Sequence, residues 1–440
     1  MIRRSPILWV ITLCAAPAFA QSPQQEVLTL EKAIEIAERV QPQLAQSRAN
    51  IEASLGRVDA ARVNRLPTVS LNASVTTGST YTRQCGTDAI TGMQTCSGGF
   101  LDPSTRTGLG AQASWRIYDF GQTSLAIKAA ELSAESARFA IQTDIMDIRT
   151  GVEVAYLEAV ARQRLIGVAE TTVKSEETHL DQARKFVAAQ AKDPIEVVQA
   201  QARAANAKSA LAQAQSAQAI ALANLRAAIG WLDATRSPVV TNTWPTPPEQ
   251  EPVTLVTLVE EARKQRTEIK QFDKQIAAAQ ADLEAAYAQR RPVLAATAST
   301  QWGPSDEDWS PSPTWSAGIT LSWDLFDGGR ARANQRVARA NLIGTQAQRD
   351  ALLVSLTSQI ELSRAQILAN RANVLASTEA VTAARAQLKL ADARYTQGLG
   401  SQIELADAQT AVTTAEGNLV QAEWQLAEAW AQLRRALGTK

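Results

Sequence analysis

Three groups of residues in this chain have types and spacings that could do chemistry. Cys85 and Cys96 lie about ten residues apart in a Gly/Thr-rich stretch, close enough to form a disulfide and close a small loop. His179 sits among Glu176, Glu177 and Asp181, donors that could serve a metal or move protons. Glu404 and Asp407 are three apart on a helical stretch, where two carboxylates share one face and could attract cations. The wider sequence supports little of the catalytic reading. A chain with one histidine cannot build a two-histidine metal motif, and neither a phosphate-binding glycine loop nor a nucleophile elbow occurs. His179 is therefore expected to be a solvated helix-surface residue. No catalytic residue, metal or cofactor is expected, and an enzyme is not the expected class.

Compartment decides how the cysteines are read. Residues 1–20 have the form of a secretory signal: Arg3 and Arg4, an apolar stretch from Ile7 to Leu13, then Ala18-Phe19-Ala20 before Gln21. Cys14 lies inside the apolar stretch rather than at the cleavage point, so a lipid anchor is not expected. In an exported chain Cys85 and Cys96 are free to oxidise, and a disulfide closing so short a loop contributes about 3 kcal/mol. Two unpaired exposed thiols are the alternative. Removing Arg3 and Arg4 from the 44 basic residues leaves 42 against 44 acidic ones, with no dense basic stripe, so nucleic acid is not an expected partner. After the signal no apolar run reaches the ~18 residues a membrane helix needs, so any membrane span must be made of strands.

The elements that position these residues come in duplicate. Leu28-Thr29-Leu30 recurs as Val253-Thr254-Leu255, and Ser114-Trp115-Arg116-Ile117-Tyr118-Asp119 as Ser322-Trp323-Asp324-Leu325-Phe326-Asp327. The first copy spans 21–230 and the second 253–440, separated by a Pro-rich linker at 231–252. Each copy opens with a helix on a seven-residue repeat, Leu30, Ala37, Leu44, Ile51 and Val58 in the first and Leu255, Ala262, Ile269, Ile276 and Leu283 in the second. The period then becomes two. Strands are expected at about 67–78 and 107–118, and at about 292–302 and 315–326; three alternate an apolar with a small polar face, and the one after Pro292 is weak, being mostly Ala and Thr. A very long helix follows in each copy, with Ile145, Val152, Ala159 and Ile166 matching Leu353, Ile360, Ile367 and Val374. A last helix closes each copy; Gln218 interrupts its apolar stripe in the first. Strict heptads imply supercoiled lateral pairing.

Strands of about ten residues with this alternation suit a membrane barrel with a wet lumen, and Trp302, Trp309, Trp315 and Trp323 cluster at strand ends as interfacial anchors do. Four strands cannot close a barrel, since the smallest need about eight, so the barrel must be shared between chains. The rival reading is a periplasmic coiled-coil structural or adaptor protein that conducts nothing, which would have no use for lipid-facing strands.

In this order of elements the chain resembles the TolC family of outer membrane factors. The resemblance rests on the junctions Ser114-Trp115 to Asp119 and Ser322-Trp323 to Gly329, and on Arg394-Tyr395-Thr396-Gln397-Gly398 followed by Ser401, Ile403, Glu404, Asp407 and Gln409. It implies a homotrimer with a shared twelve-stranded barrel in outer-membrane lipid, continued by a helical tunnel into the periplasm. The implied function is a passive exit duct for efflux or type I secretion, docking a periplasmic adaptor and an inner-membrane transporter. The same resemblance makes Tyr395 and Glu196 a periplasmic gate pair and Glu404 with Asp407 an acidic constriction ring. The family's gate arginine would fall near Gly400, a departure from the pattern. The turn from Ala188 to Pro194, which lacks the glycine of its counterpart, is expected to carry about one extra residue.

Overall fold

A computed structural model describes residues 25–79, 84–97, 103–233, 237–241, 244, 254–303 and 313–439. The signal segment, Trp309 and most of the linker lie outside the described residues.

The first copy begins with β1 (Gln25–Leu28), α1 (Leu30–Val40) and α2 (Pro42–Val63). Strand β2 (Thr68–Ser79), a short hairpin β3 (Gln84–Thr87) and β4 (Gln94–Ser97), and β5 (Pro103–Tyr118) come next. The helices α3 (Gln122–Ala188) and α4 (Pro194–Ile229) complete it. After β6 (Ser237–Val240) the order repeats as α5 (Leu255–Gln265), α6 (Thr267–Ala288), β7 (Val293–Trp302), β8 (Thr314–Ser322), α7 (Arg330–Thr396) and α8 (Gln402–Leu437). The α3 and α7 helices have 67 residues each, about 100 Å of helix at 1.5 Å per residue, and α4 and α8 have 36 each.

The chain forms two compact units, and each draws on both copies. One holds Gln43–Met146 and Val253–Glu361 with the last residues. Its centre is an antiparallel sheet in the order β2-β5-β7-β8. Register places Val69, Leu71 and Ala73 beside Ala113, Ala111 and Leu109, and Ala296 and Leu294 of β7 beside Ile319 and Leu321 of β8. These residues share one face, and Leu71, Val75, Ile319 and Leu321 on it are exposed. Ser70, Asn72, Gln112, Ser114, Thr297, Ser299 and Ser316 occupy the other. Among the described residues, strands β2 and β8 are the unpaired edges of this sheet.

At the foot of the sheet both copies build the same corner. The indole Nε1 of Trp115 donates to Arg65 O at 2.9 Å, and that of Trp323 to Arg290 O at 3.1 Å. Asp119 accepts from the amides of Gly121 and Thr123, and Asp327 from those of Gly329 and Ala331, so each carboxylate caps the helix that follows. The fourth strand is shorter than expected. β8 ends at Ser322, not 326, because its only partner among the described residues, β7, begins at Val293, and the Val293–Ser322 pair is the last of the ladder.

The other unit holds Asp147–Pro252 and Leu362–Arg435 with the N-terminal segment to Pro42. There β1 pairs in parallel with β6, and the buried Tyr156 hydroxyl, 3.1 Å from Leu28 O and 2.7 Å from Thr241 Oγ1, ties both to α3. The opening helix of each copy, expected to be continuous, is broken. Gln41 takes extended backbone before Pro42, and Arg266 does the same before Thr267. Each break residue donates from its side chain to the end of a copy's last helix: Gln41 to Ala228 O at 2.9 Å and Arg266 to Ala436 O at 3.2 Å. The heptad stripes do lie inside: Val152, Ala159, Ile360 and Ile367 are fully buried, as are Leu405 and Leu433 to within a few per cent. Gln218 keeps its place in the stripe by donating to Gln163 Oε1 at 3.2 Å.

Candidate functional site: the helical tip

The two long hairpins turn at Ala189–Asp193 and Gln397–Ser401, five residues each, so the extra residue expected in the first turn is absent. Gln190 and Gly398, equivalent under the 208-residue shift, both take the left-handed conformation that ends a helix. The Cβ of a glutamine makes this conformation costlier than it is for glycine, so the equivalence is not visible in the residue types. Asp193 and Ser401 then cap the next helices, accepting from Ile195 N at 2.9 Å and Glu404 N at 3.1 Å.

Tyr395, on the last turn of α7, is 1% exposed over Ala391, Leu405 and Ala408, with the Phe186 ring edge-on at 5.6 Å. Its hydroxyl donates to Glu196 Oε2 at 3.0 Å. Burial, and then the hydrogen bond and charge of Glu196, push the phenol up to about 12. Glu196 is held through its backbone as well, since Gln402 Nε2 donates to its carbonyl oxygen at 2.8 Å. The two residues named as a gate pair from sequence are thus brought together.

The place near Gly400, where the resemblance puts an arginine, is sterically closed, and a lysine of the first copy reaches it. A Cβ at Gly400 would meet Tyr395 N at 3.0 Å and Arg394 Cβ at 3.1 Å, so the closed turn leaves little room for a side chain there. Lys192 occupies the equivalent place in the first copy. Its Nζ lies 3.3 Å from Gly400 O, 3.6 Å from Glu196 Oε1 and 5.2 Å from the centre of the Tyr395 ring. Lys192 is not expected from the resemblance, which places the cation in the second copy; the signal for it in the sequence is the 208-residue shift from Gly400.

Glu404 and Asp407 fare differently from one another. Glu404 Oε1 is 3.1 Å from Arg394 Nη1, so its charge is partly compensated. Asp407 is exposed, with no ion pair among the described residues. His179 corrects its expectation: it is buried, with Nε2 3.1 Å from Ser175 Oγ and Nδ1 3.3 Å from Gln182 Oε1. Ser175 donates onward to Gln409 on α8 at 2.7 Å. The acidic neighbours suggested an outer face, but 3.6-residue geometry turns His179 toward α8 and buries Glu176 beside Arg203 at 3.6 Å. Cys85 and Cys96 face each other in the register of β3 and β4 and are joined as a disulfide.

Duplicated strand pairs and long paired helices ending in a polar tip are the architecture of a helical outer-membrane channel. The profile described as outer membrane efflux protein matches residues 33–231 and 258–439. Protein CyaE of Bordetella pertussis is 31% identical over 390 residues, 87% of this chain and 78% of that protein. The pyoverdine export outer membrane protein OpmQ of Pseudomonas aeruginosa is 25% identical over 336 residues, 75% and 69% of the two chains. Among solved structures, the Campylobacter jejuni CmeC outer membrane channel superposes with a TM-score of 0.75 at 14% identity, covering 99% of this chain and 94% of that one. The Vibrio cholerae outer membrane protein VceC gives 0.73 at 20% identity, with 93% and 96% covered. This chain belongs to the outer membrane efflux protein family. It is an exit duct for efflux or secretion, seated in the outer membrane of a Gram-negative bacterium and extending into the periplasm.

Proposed function

We propose that three copies of this chain close one twelve-stranded barrel and act as a passive duct with no catalytic step, its energy supplied by an inner-membrane transporter coupled through a periplasmic adaptor. The observation that carries the assembly is the four-stranded sheet with an exposed apolar face and two unpaired edges, an arrangement that lipid does not tolerate until the edges meet. The disulfide-linked β3–β4 hairpin then lies in an extracellular loop. The Tyr395–Glu196–Lys192 cluster holds the periplasmic end closed, and Asp407 with Glu404 lines the constriction behind it. An SDS-resistant trimer in outer-membrane fractions, with single-channel conductance in planar bilayers, is the expected result. A soluble periplasmic monomer would sink the proposal.

A further inference from the structure

Where β8 leaves the sheet, an open cavity of about 800 Å³ lies beside the start of α7, lined by Arg330, Arg332, Arg336 and Arg339 together with Tyr287 and Asp327. Arg330 is 3.5 Å from Asp324. Arg332, Arg336 and Arg339 are exposed and have neither a hydrogen bond nor an ion pair among the described residues. Asp327 is the one acid in the lining, and its carboxylate is committed to the amides of Ala331 and Gly329, which hold it below the ordinary carboxylate range.

The duplicated fold supplies an internal control. Shifted by 208, the four arginines fall on Gln122, Ser124, Lys128 and Glu131. Both copies make the same aspartate-capped corner, so the corner itself does not require arginines at these places. Fold stability therefore leaves this concentration of charge unexplained.

Its position suggests what it meets. Past the end of β8, Trp323 and Leu325 continue the spacing of the apolar face and Phe326 follows; they are 59%, 77% and 90% exposed. In a membrane barrel the foot of such a face lies where hydrocarbon gives way to headgroups, and the helix beyond it leads into the periplasm. Three unpaired guanidiniums offer planar forks that match phosphate oxygens, and all the lining cations are arginine rather than lysine.

We propose that Arg332, Arg336 and Arg339 bind the phosphate of an anionic phospholipid in the periplasmic leaflet, with its acyl chains against Leu325 and Phe326. The site rests on the lipid-facing reading of the sheet. Tested on the full-length trimer by native mass spectrometry from mixed micelles, the wild type retains phosphatidylglycerol in preference to phosphatidylcholine. The variant Arg332→Gln/Arg336→Gln/Arg339→Gln loses that preference by about tenfold. Arg57→Gln/Lys264→Gln/Lys389→Gln, which removes the same charge elsewhere, keeps it. Equal retention of phosphatidylglycerol by wild type and arginine variant overturns the proposal, as does its displacement by millimolar inorganic phosphate, which would assign a soluble anion instead. Should the triple variant fail to assemble, Arg336→Lys keeps the charge but loses the fork, and unchanged retention in it is equally fatal. A conducting trimer without lipid preference defeats this site alone, whereas absence of any membrane-inserted trimer defeats the barrel reading on which it rests.

Discussion

Lys192 and Gly400 occupy equivalent places in the two copies of the repeat, and the ammonium of the first lies 3.3 Å from the carbonyl oxygen of the second. The same ammonium lies 3.6 Å from the Glu196 carboxylate, so a cation of the first turn reaches the second beside that acid. Lys192→Met is expected to increase conductance and leak of large antibiotics, and Lys192→Arg to restore closure. Recordings in which the methionine variant matches wild type would remove Lys192 from the closed state.

Tyr395→Phe deletes one hydroxyl from the same cluster. A hydrogen bond to an ionised acceptor contributes ~1.5 to 3 kcal/mol, so a measurable rise in open probability is expected. The pH dependence has a definite sign. With the phenol pushed up to about 12 in the closed tip, against an ordinary value of ~10, its contribution to closure is fully present below about pH 10 and is lost as pH rises toward about 12. An alkaline rise in conductance that is equally large in Tyr395→Phe would exclude the phenol as its source.

In the proposed constriction Glu404 and Asp407 should not act equally. Glu404 faces Arg394 at 3.1 Å, whereas Asp407 has no ion pair among the described residues. Replacing both by alanine should weaken cation preference and block by trivalent cations in bilayer recordings, with Asp407→Ala giving most of the effect. Selectivity unchanged in the double variant would remove the ring.

Ile360 and Ile367 are fully buried on α7, and Gln359 is exposed. A charge without a partner in a packed seam costs several kcal/mol, while a surface swap stays within about 0.5. Ile360→Asp should therefore lower the yield of SDS-resistant trimer severely and Gln359→Ala hardly at all. Similar yields on a gel would count against the seam.

Periodicity made most of this fold legible. The change from a period of seven to a period of two located the strands of the β2-β5-β7-β8 sheet, because its two faces differ in chemistry and residue type alternates with them, most weakly in the Ala- and Thr-rich β7. Features set by backbone and capping were harder to read. The break at Arg266 carries no proline, and the left-handed residue at Gln190 carries no glycine, so neither announced itself. Tyr395 and Glu196 were found through the resemblance to a family, since residues on separate helices have no local pattern joining them. His179 was misread because its sequence neighbours are acidic, whereas its contacts are with Ser175, Gln182 and, through Ser175, Gln409.

The equality of the helices, 67 and 67 residues, then 36 and 36, restricts how such a chain can change length. Deleting one heptad from α3 alone would withdraw its turn by about 10 Å and leave Lys192 out of reach of Gly400. Only a matched excision, seven residues from each of the four helices, keeps every seam in phase and returns the two turns to each other. Insertions and deletions in these helices are therefore tolerated in sets of four or not at all, although each helix taken singly has surface to spare.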